Sequence, residues 1–320
     1  MGDNHTAIGV LLFAGTAAFL GGKYARRSKQ QPLGWWGWIG LAIILAAEFL
    51  LILRIPLVTT FFTAIVWTGY VLLIDASVVS LQGSSRLTRL PREFLALVFW
   101  SVPLWLVFEG YNLRLANWDY VGMPDSILEQ CIGGVWAFAT IWPAIFETGD
   151  FIGSLGFFRG RGRRRAPLGA SVWAALLVLG LTLVTAPVLL PVRWGRNLFG
   201  AVWLGFIPLL DCLNYRWGGQ SLLAGWEAGD NRRAASLLAS GAVCGILWEF
   251  WNYWAGARWV YVFPIFQHWK IFEMPLPGFF GFPPFALECF VMYEFLRTMR
   301  RRLFGARREV IAAGSSEAAS

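Results

Sequence analysis

Nine long apolar runs, separated by short polar segments, decide what this chain can fold into. A membrane-spanning helix needs roughly 20 mostly apolar residues. Runs of about that length fall near 6–21, 35–54, 60–80, 94–113, 130–150, 171–191, 198–217, 235–256 and 276–296. Charged residues make up only 14% of the 320, and 57% are hydrophobic. A soluble domain carries roughly 25% charge, so this chain cannot coat a globule of its size with polar side chains. The reading is an all-α, polytopic membrane helical bundle of about nine transmembrane helices. Soluble enzymes and bulk disorder are excluded.

The formal charge of +8 then becomes a question of sidedness. With the N-terminus outside, 21 of the 27 Lys and Arg fall in inner segments and 6 in outer ones. Positive charge stays on the cytoplasmic side. The expectation is an integral protein of the cell (inner) membrane, with the N-terminus outside and the C-terminus cytoplasmic. The basic excess needs no nucleic-acid partner. Residues 1–5 hold no basic run, which predicts an uncleaved first span. The tail after Phe304 reads as disordered.

The chain also repeats itself. Pro32-Leu33-Gly34 with Trp38 recurs as Pro167-Leu168-Gly169 with Trp173. Val66-Trp67-x-Gly69 leading to Asp75 recurs as Val202-Trp203-x-Gly205 leading to Asp211. Glu109-x-x-Asn112 matches Glu249-x-x-Asn252, and Trp118-x-Tyr120 matches Trp259-x-Tyr261. Pro143-x-x-x-Glu147 matches Pro284-x-x-x-Glu288. The order is kept while the offset drifts from 135 to 141. This predicts an anchor and basic loop at 1–31, a four-helix repeat at 32–158 and a basic linker at 159–166. A second four-helix repeat follows at 167–300, then a tail at 301–320. Four spans return the chain to its starting side, so the two units should be parallel, related by a pseudo-two-fold axis along the membrane normal.

Ionisable groups inside spans are costly and are functional candidates by default. Glu109 and Glu249 have Asn112 and Asn252 one helical turn further along the same face, because residues three apart are neighbours on a helix. Each pair can hold a proton, bind an oxygen function or clasp a neighbouring helix. Asp75 and Asp211 lie near the inner ends of their spans, where an Arg such as Arg216 is the bland partner. Glu147 and Glu288 follow prolines expected to bend their helices. Glu129 and Glu273 begin the last span of each unit, where capping is the bland reading. The Pro- and Gly-rich stretch 273–288 predicts a broken segment, and its counterpart 129–147 a more regular one. Trp248, Trp251, Trp259, Tyr261, Trp118 and Tyr120 are candidate walls of an aromatic pocket. For Trp118 and Trp259, interfacial anchoring is the competing reading.

Only two histidines are present, His5 and His268, and the four cysteines are isolated. No metal cluster or phosphate loop is visible, so neither a metal nor a cofactor is expected. What remains is carboxylates, amides and aromatic faces in a place removed from water, where a carboxyl group keeps its proton more readily. Such a site suits protonation of an alkene or epoxide, with ring faces stabilising the cation. Cys244-x-x-Leu247-Trp248-Glu249-Phe250 resembles the Trp-Glu-bearing helix of integral-membrane terpene cyclases. That resemblance implies a protonating role for Glu249, with Glu109 as the counterpart in the first unit. The paired helical units, each with a Trp-x-Tyr loop before a Pro- and Glu-bearing helix, resemble bacterial lycopene cyclase domains. Those have three spans per unit rather than four. The expected function is acid-catalysed cyclisation or isomerisation of an isoprenoid or other membrane lipid. A transporter or lipid carrier with buried acids, and a structural assembly protein, remain as alternatives.

Overall fold

A computed structural model describes the backbone of residues 2–317 and the side chains of residues 5–303. The helices are α1 (Gly2–Arg26), α2 (Trp35–Ile52), α3 (Pro56–Gln82), α4 (Arg86–Arg89) and α5 (Pro91–Leu115). Strand β1 (Trp118–Val121) precedes α6 (Ile127–Ala139), α7 (Ile141–Leu155), α8 (Ala170–Leu189), α9 (Val192–Gly195) and α10 (Phe199–Arg216). Next come α11 (Leu222–Glu227), α12 (Arg232–Trp254), β2 (Arg258–Tyr261), β3 (Lys270–Ile271), β4 (Met274–Pro275) and α13 (Phe282–Glu317). Among the described residues, nine helical stretches are long and apolar enough to cross a membrane. They fall on the nine predicted runs, and the protein is a membrane-embedded helical bundle.

Helix boundaries follow local chemistry. Pro56 and Pro91 open α3 and α5, where a missing N–H costs no intrahelical bond. Gly83 closes α3 with φ of 82°, a conformation other residues rarely adopt. The long helices alternate between two ends. One end carries β1 and β2. The other carries α4, α11 and the basic segments, and is called the basic end below.

Small residues let the helices approach closely. A Cβ at Gly40 of α2 would meet the carbonyl of Gly69 on α3, and a Cβ at Gly69 the carbonyl of Gly40. Between α8 and α10, Gly180 lies on Leu209 and Gly205 on Leu183 and Val184. At the centre, α3, α7, α10, α12 and α13 pack together. The Trp142 indole of α7 donates to the Cys289 carbonyl of α13 at 2.9 Å, and Ser240 of α12 donates to the Ile145 carbonyl of α7 at 2.5 Å.

Three expectations change. Pro143 and Pro284 each stand third in α7 and α13, so both lie in a first turn and start a helix instead of bending one. The stretch leading into α13 is broken as anticipated, running through β4 and a 3-10 turn at Leu276–Gly281. Its counterpart is more regular yet not continuous, because α6 ends at Thr140 and α7 starts afresh. Finally, α13 runs on to Glu317, through residues expected to be disordered.

Candidate functional site: an aromatic chamber under a strand pair

Two asparagines build the roof of the site. After α5, Ala116 adopts φ of 46° and turns the chain back toward the helix. Asn112 catches it there. Its Oδ1 accepts from the Asn117 and Trp118 backbone N–H groups at 2.8 and 3.1 Å, and its Nδ2 donates to the Trp118 carbonyl at 2.8 Å. Asn252 does the same for the second strand. It accepts from the Trp259 N–H at 3.0 Å and donates to the Trp259 carbonyl at 2.8 Å. Neither amide clasps another helix. Each fixes the strand that follows its own helix.

The anchored strands pair with one another. β1 and β2 run antiparallel, with Trp118 opposite Tyr261 and Tyr120 opposite Trp259. Side chains on a strand alternate between faces, so the two Trp-x-Tyr motifs direct their rings to one face of the pair. The tyrosines carry those rings back to the acids. Tyr120 donates to Glu109 Oε1 at 2.5 Å, and the Trp105 indole reaches the same oxygen at 2.8 Å. Tyr261 donates to Glu249 Oε1 at 3.0 Å while accepting from the Trp259 indole at 3.0 Å. Glu249 is fully buried, and its second oxygen makes no hydrogen bond. Burial, then the adjacent Glu249 carboxyl, pushes the Tyr261 hydroxyl well above the usual tyrosine range, so it stays a protonated donor.

Beneath the strands lies a cavity of about 430 Å³, mostly apolar in its walls. Trp118, Tyr120, Trp259 and Tyr261 line it from the strands, and Trp67, Trp105, Trp203 and Trp248 from the helices. Phe285 is the hub of this wall, with its ring 6.0 Å from Trp105, 5.6 Å from Trp203 and 6.0 Å from Trp248. Polar groups are few, among them Glu129, Gln130 and Arg258. The volume falls within the roughly 300–1,000 Å³ of small-molecule sites. Glu109 and Glu249 stand behind this wall, one hydrogen bond away through tyrosines that form part of it.

The other predicted residues lie elsewhere. Trp251 packs on Trp67, with ring centroids 5.0 Å apart, and its indole donates to Glu48 of α2 at 2.8 Å. Asp75 and Asp211 do not pair with Arg216. Asp75 accepts from the Trp36 indole at 2.9 Å. Asp211 accepts from the Leu222 and Leu223 N–H groups, both at 2.8 Å, and so caps α11. Glu129 sits in the first turn of α6, below the Ser126 cap, as the bland reading held. Glu273 caps no helix. It lies in the turn between β3 and β4, 3.6 Å from Arg258. Glu288 accepts from the Phe206 N–H at 3.3 Å, and neither oxygen of the buried Glu147 makes a hydrogen bond. Glu147 lies toward the basic end, one turn from Asp150, which Arg86 and Arg233 both bridge.

Glu48 and Asp150 were not among the sequence candidates, nor was Arg258. Among the described residues no group of three or more His, Cys, Asp or Glu is placed to hold a metal. No protein-family model, curated protein or solved structure matches the chain.

Proposed function

We propose that this protein is an integral-membrane enzyme that draws an isoprenoid or similar lipid into the aromatic chamber and rearranges it by cofactor-independent acid catalysis. The observation that carries this reading is convergence. Two tyrosine–glutamate pairs, one from each half of the chain, meet a single apolar cavity through one strand pair. One pair delivers a proton to a carbon–carbon double bond of the lipid. The cation formed is stabilised by indole and phenyl faces, worth about 0.5–2 kcal/mol per ring. The other pair takes a proton from a neighbouring carbon. The bond order is redistributed or a ring is closed, no cofactor is consumed and the net proton count is unchanged. The first pair ends without its proton and the second with one extra, so a proton returns from the second pair to the first before the next turnover, or the two pairs exchange roles. Trp248 and Trp259 serve as cation-facing walls, and Asn112 and Asn252 position the tyrosines.

The same reading takes the chain as a duplicated one, with two parallel four-span units that share one site. It is supported by bonding that recurs at the repeat offset. Asn112 and Asn252 make matching bonds, and the β1–β2 register maps onto itself when the halves are exchanged. In this arrangement the strand end faces outward and the basic end faces the cytoplasm of the cell membrane. The resemblance to membrane terpene cyclases at Trp248-Glu249 points the same way.

The test is lipid extraction and mass spectrometry of purified wild type beside Glu249→Gln and Glu109→Gln, with lipid profiles of the producing cells. A lipid is expected to co-purify, and each substitution should change the ratio of precursor to product by at least tenfold. If a lipid co-purifies and leaves unchanged in every variant, the protein is a carrier. If none co-purifies and no profile changes, the enzymatic reading is lost.

A further inference from the structure

The chamber is not uniformly hydrocarbon. The indoles of Trp36, Trp105, Trp142, Trp251 and Trp259 each donate to a protein acceptor within 3.0 Å. Trp67 and Trp203 do not. Their indole N–H groups are buried and have no partner, although both residues line the chamber. The Thr63 hydroxyl is in the same condition on the same chamber. Its neighbour Thr68 donates to Ala64 of its own helix at 2.8 Å, the usual recourse of a helical threonine. Thr63 sits one turn before Trp67 on α3, so the two side chains share a face. Trp203 comes from α10, in the matching position of the other Val-Trp-x-Gly motif. The two indoles are joined by the Trp248–Phe285 pair. Trp67 stands 5.3 Å from Trp248, and Trp203 stands 5.6 Å from Phe285.

Buried polar groups are almost always paired, and each exception calls for an explanation. We propose that the chamber's natural ligand carries at least one oxygen acceptor, a carbonyl or ether oxygen on an otherwise apolar skeleton, and that the unpartnered donors Trp67, Thr63 and Trp203 hold it, no more than two of them on any one oxygen. The ligand is therefore an oxygenated lipid rather than a pure hydrocarbon. This deepens the proposed function and rests on it only in taking the chamber as a lipid site.

The experiment is equilibrium binding to the full chain in lipid nanodiscs, read by quenching of tryptophan fluorescence. The probes are farnesylacetone, an isoprenoid methyl ketone, and the hydrocarbon of the same skeleton with a methylene in place of the carbonyl. Wild type should bind the ketone about 5–10-fold more tightly than the hydrocarbon, the effect of one net neutral hydrogen bond. At least one of Thr63→Val, Trp67→Phe and Trp203→Phe should shrink that preference, read as the ratio of the two affinities within the same variant. Thr63→Val preserves shape, so it reads the hydroxyl even if a tryptophan variant fails to fold. Equal binding of both probes to wild type, or a preference undiminished in all variants that fold, overturns the inference. Failure of both probes to bind overturns it together with the lipid site. A ketone preference beside unchanged cellular lipids upholds the inference and removes only the catalytic reading.

Discussion

At the scale of single residues, the two asparagines have the clearest consequences. Asn252 is fully buried and spends both ends of its amide on one strand residue, Trp259. Truncation would strand a backbone N–H and a carbonyl, each costing about 1–3 kcal/mol if left unpaired and dry. Asn112 is half-buried, so water recovers part of its loss. Asn252→Ala should therefore lower the unfolding temperature in detergent more than Asn112→Ala does. No loss in either variant would show that the strands are held by something other than these amides. Both positions were legible from the repeat, although the sequence suggested a helix clasp or a proton site. The i, i+3 spacing to Glu is genuine, but the positive φ of Ala116 that swings the strand back under Asn112 has no local signature. Glu48 escaped notice for a different reason. It stands in an otherwise apolar helix, and its position in the second half is Leu183, so the repeat could not flag it.

At the scale of elements, the nine spans were plain because each one is a continuous apolar run. The break before α13 was plain too, from its prolines and glycines, but the interruption inside the fifth span was not. Nothing in Ala137-Phe138-Ala139-Thr140 marks the end of α6, yet Thr140 turns both its N–H and its hydroxyl to the Ala137 carbonyl and the helix stops. The β1–β2 pairing was equally hidden, since its four-residue strands lie far apart in the chain and their partnership depends on how the halves dock. Helix contacts give the sharpest test at this level. Gly40 and Gly69 bring α2 and α3 to backbone contact, whereas a Cβ at Gly110 of α5 meets nothing within 4 Å. Gly40→Leu should destabilise the protein by about 1–3 kcal/mol through overpacking. Gly110→Leu should be neutral or better, since leucine favours a helix more than glycine does. Thermal unfolding of the two variants separates them. A Gly40→Leu protein as stable as wild type would mean that α2 is free to move away from α3.

At the scale of the whole molecule, the question is whether either half is a domain. The chamber draws Trp67, Trp105 and Tyr120 from the first half, and Trp203, Trp248 and Tyr261 from the second. Buried bonds cross between the halves at Trp142 to Cys289 and at Ser240 to Ile145, and a part-buried ion pair crosses at Arg233 to Asp150. Arg86, from the first half, shares that same Asp150. Separating the halves would expose these polar groups to lipid, where unsatisfied ones cost several kcal/mol each. The linker contributes little by comparison. It rests on the α11 region through two backbone bonds, Gly162 to Gly229 at 2.7 Å and Arg165 to Glu227 at 2.9 Å, with Arg165 over the Trp226 ring. A chain cut at the linker should therefore reassemble. Residues 1–162 and 163–320, co-expressed with a tag on one piece, are expected to co-purify as a single monodisperse species that carries the same lipid as the intact chain. Either piece expressed alone should aggregate or be degraded. If one piece alone gives a stable particle with lipid bound, the two halves are independent units and the shared chamber is not the working site.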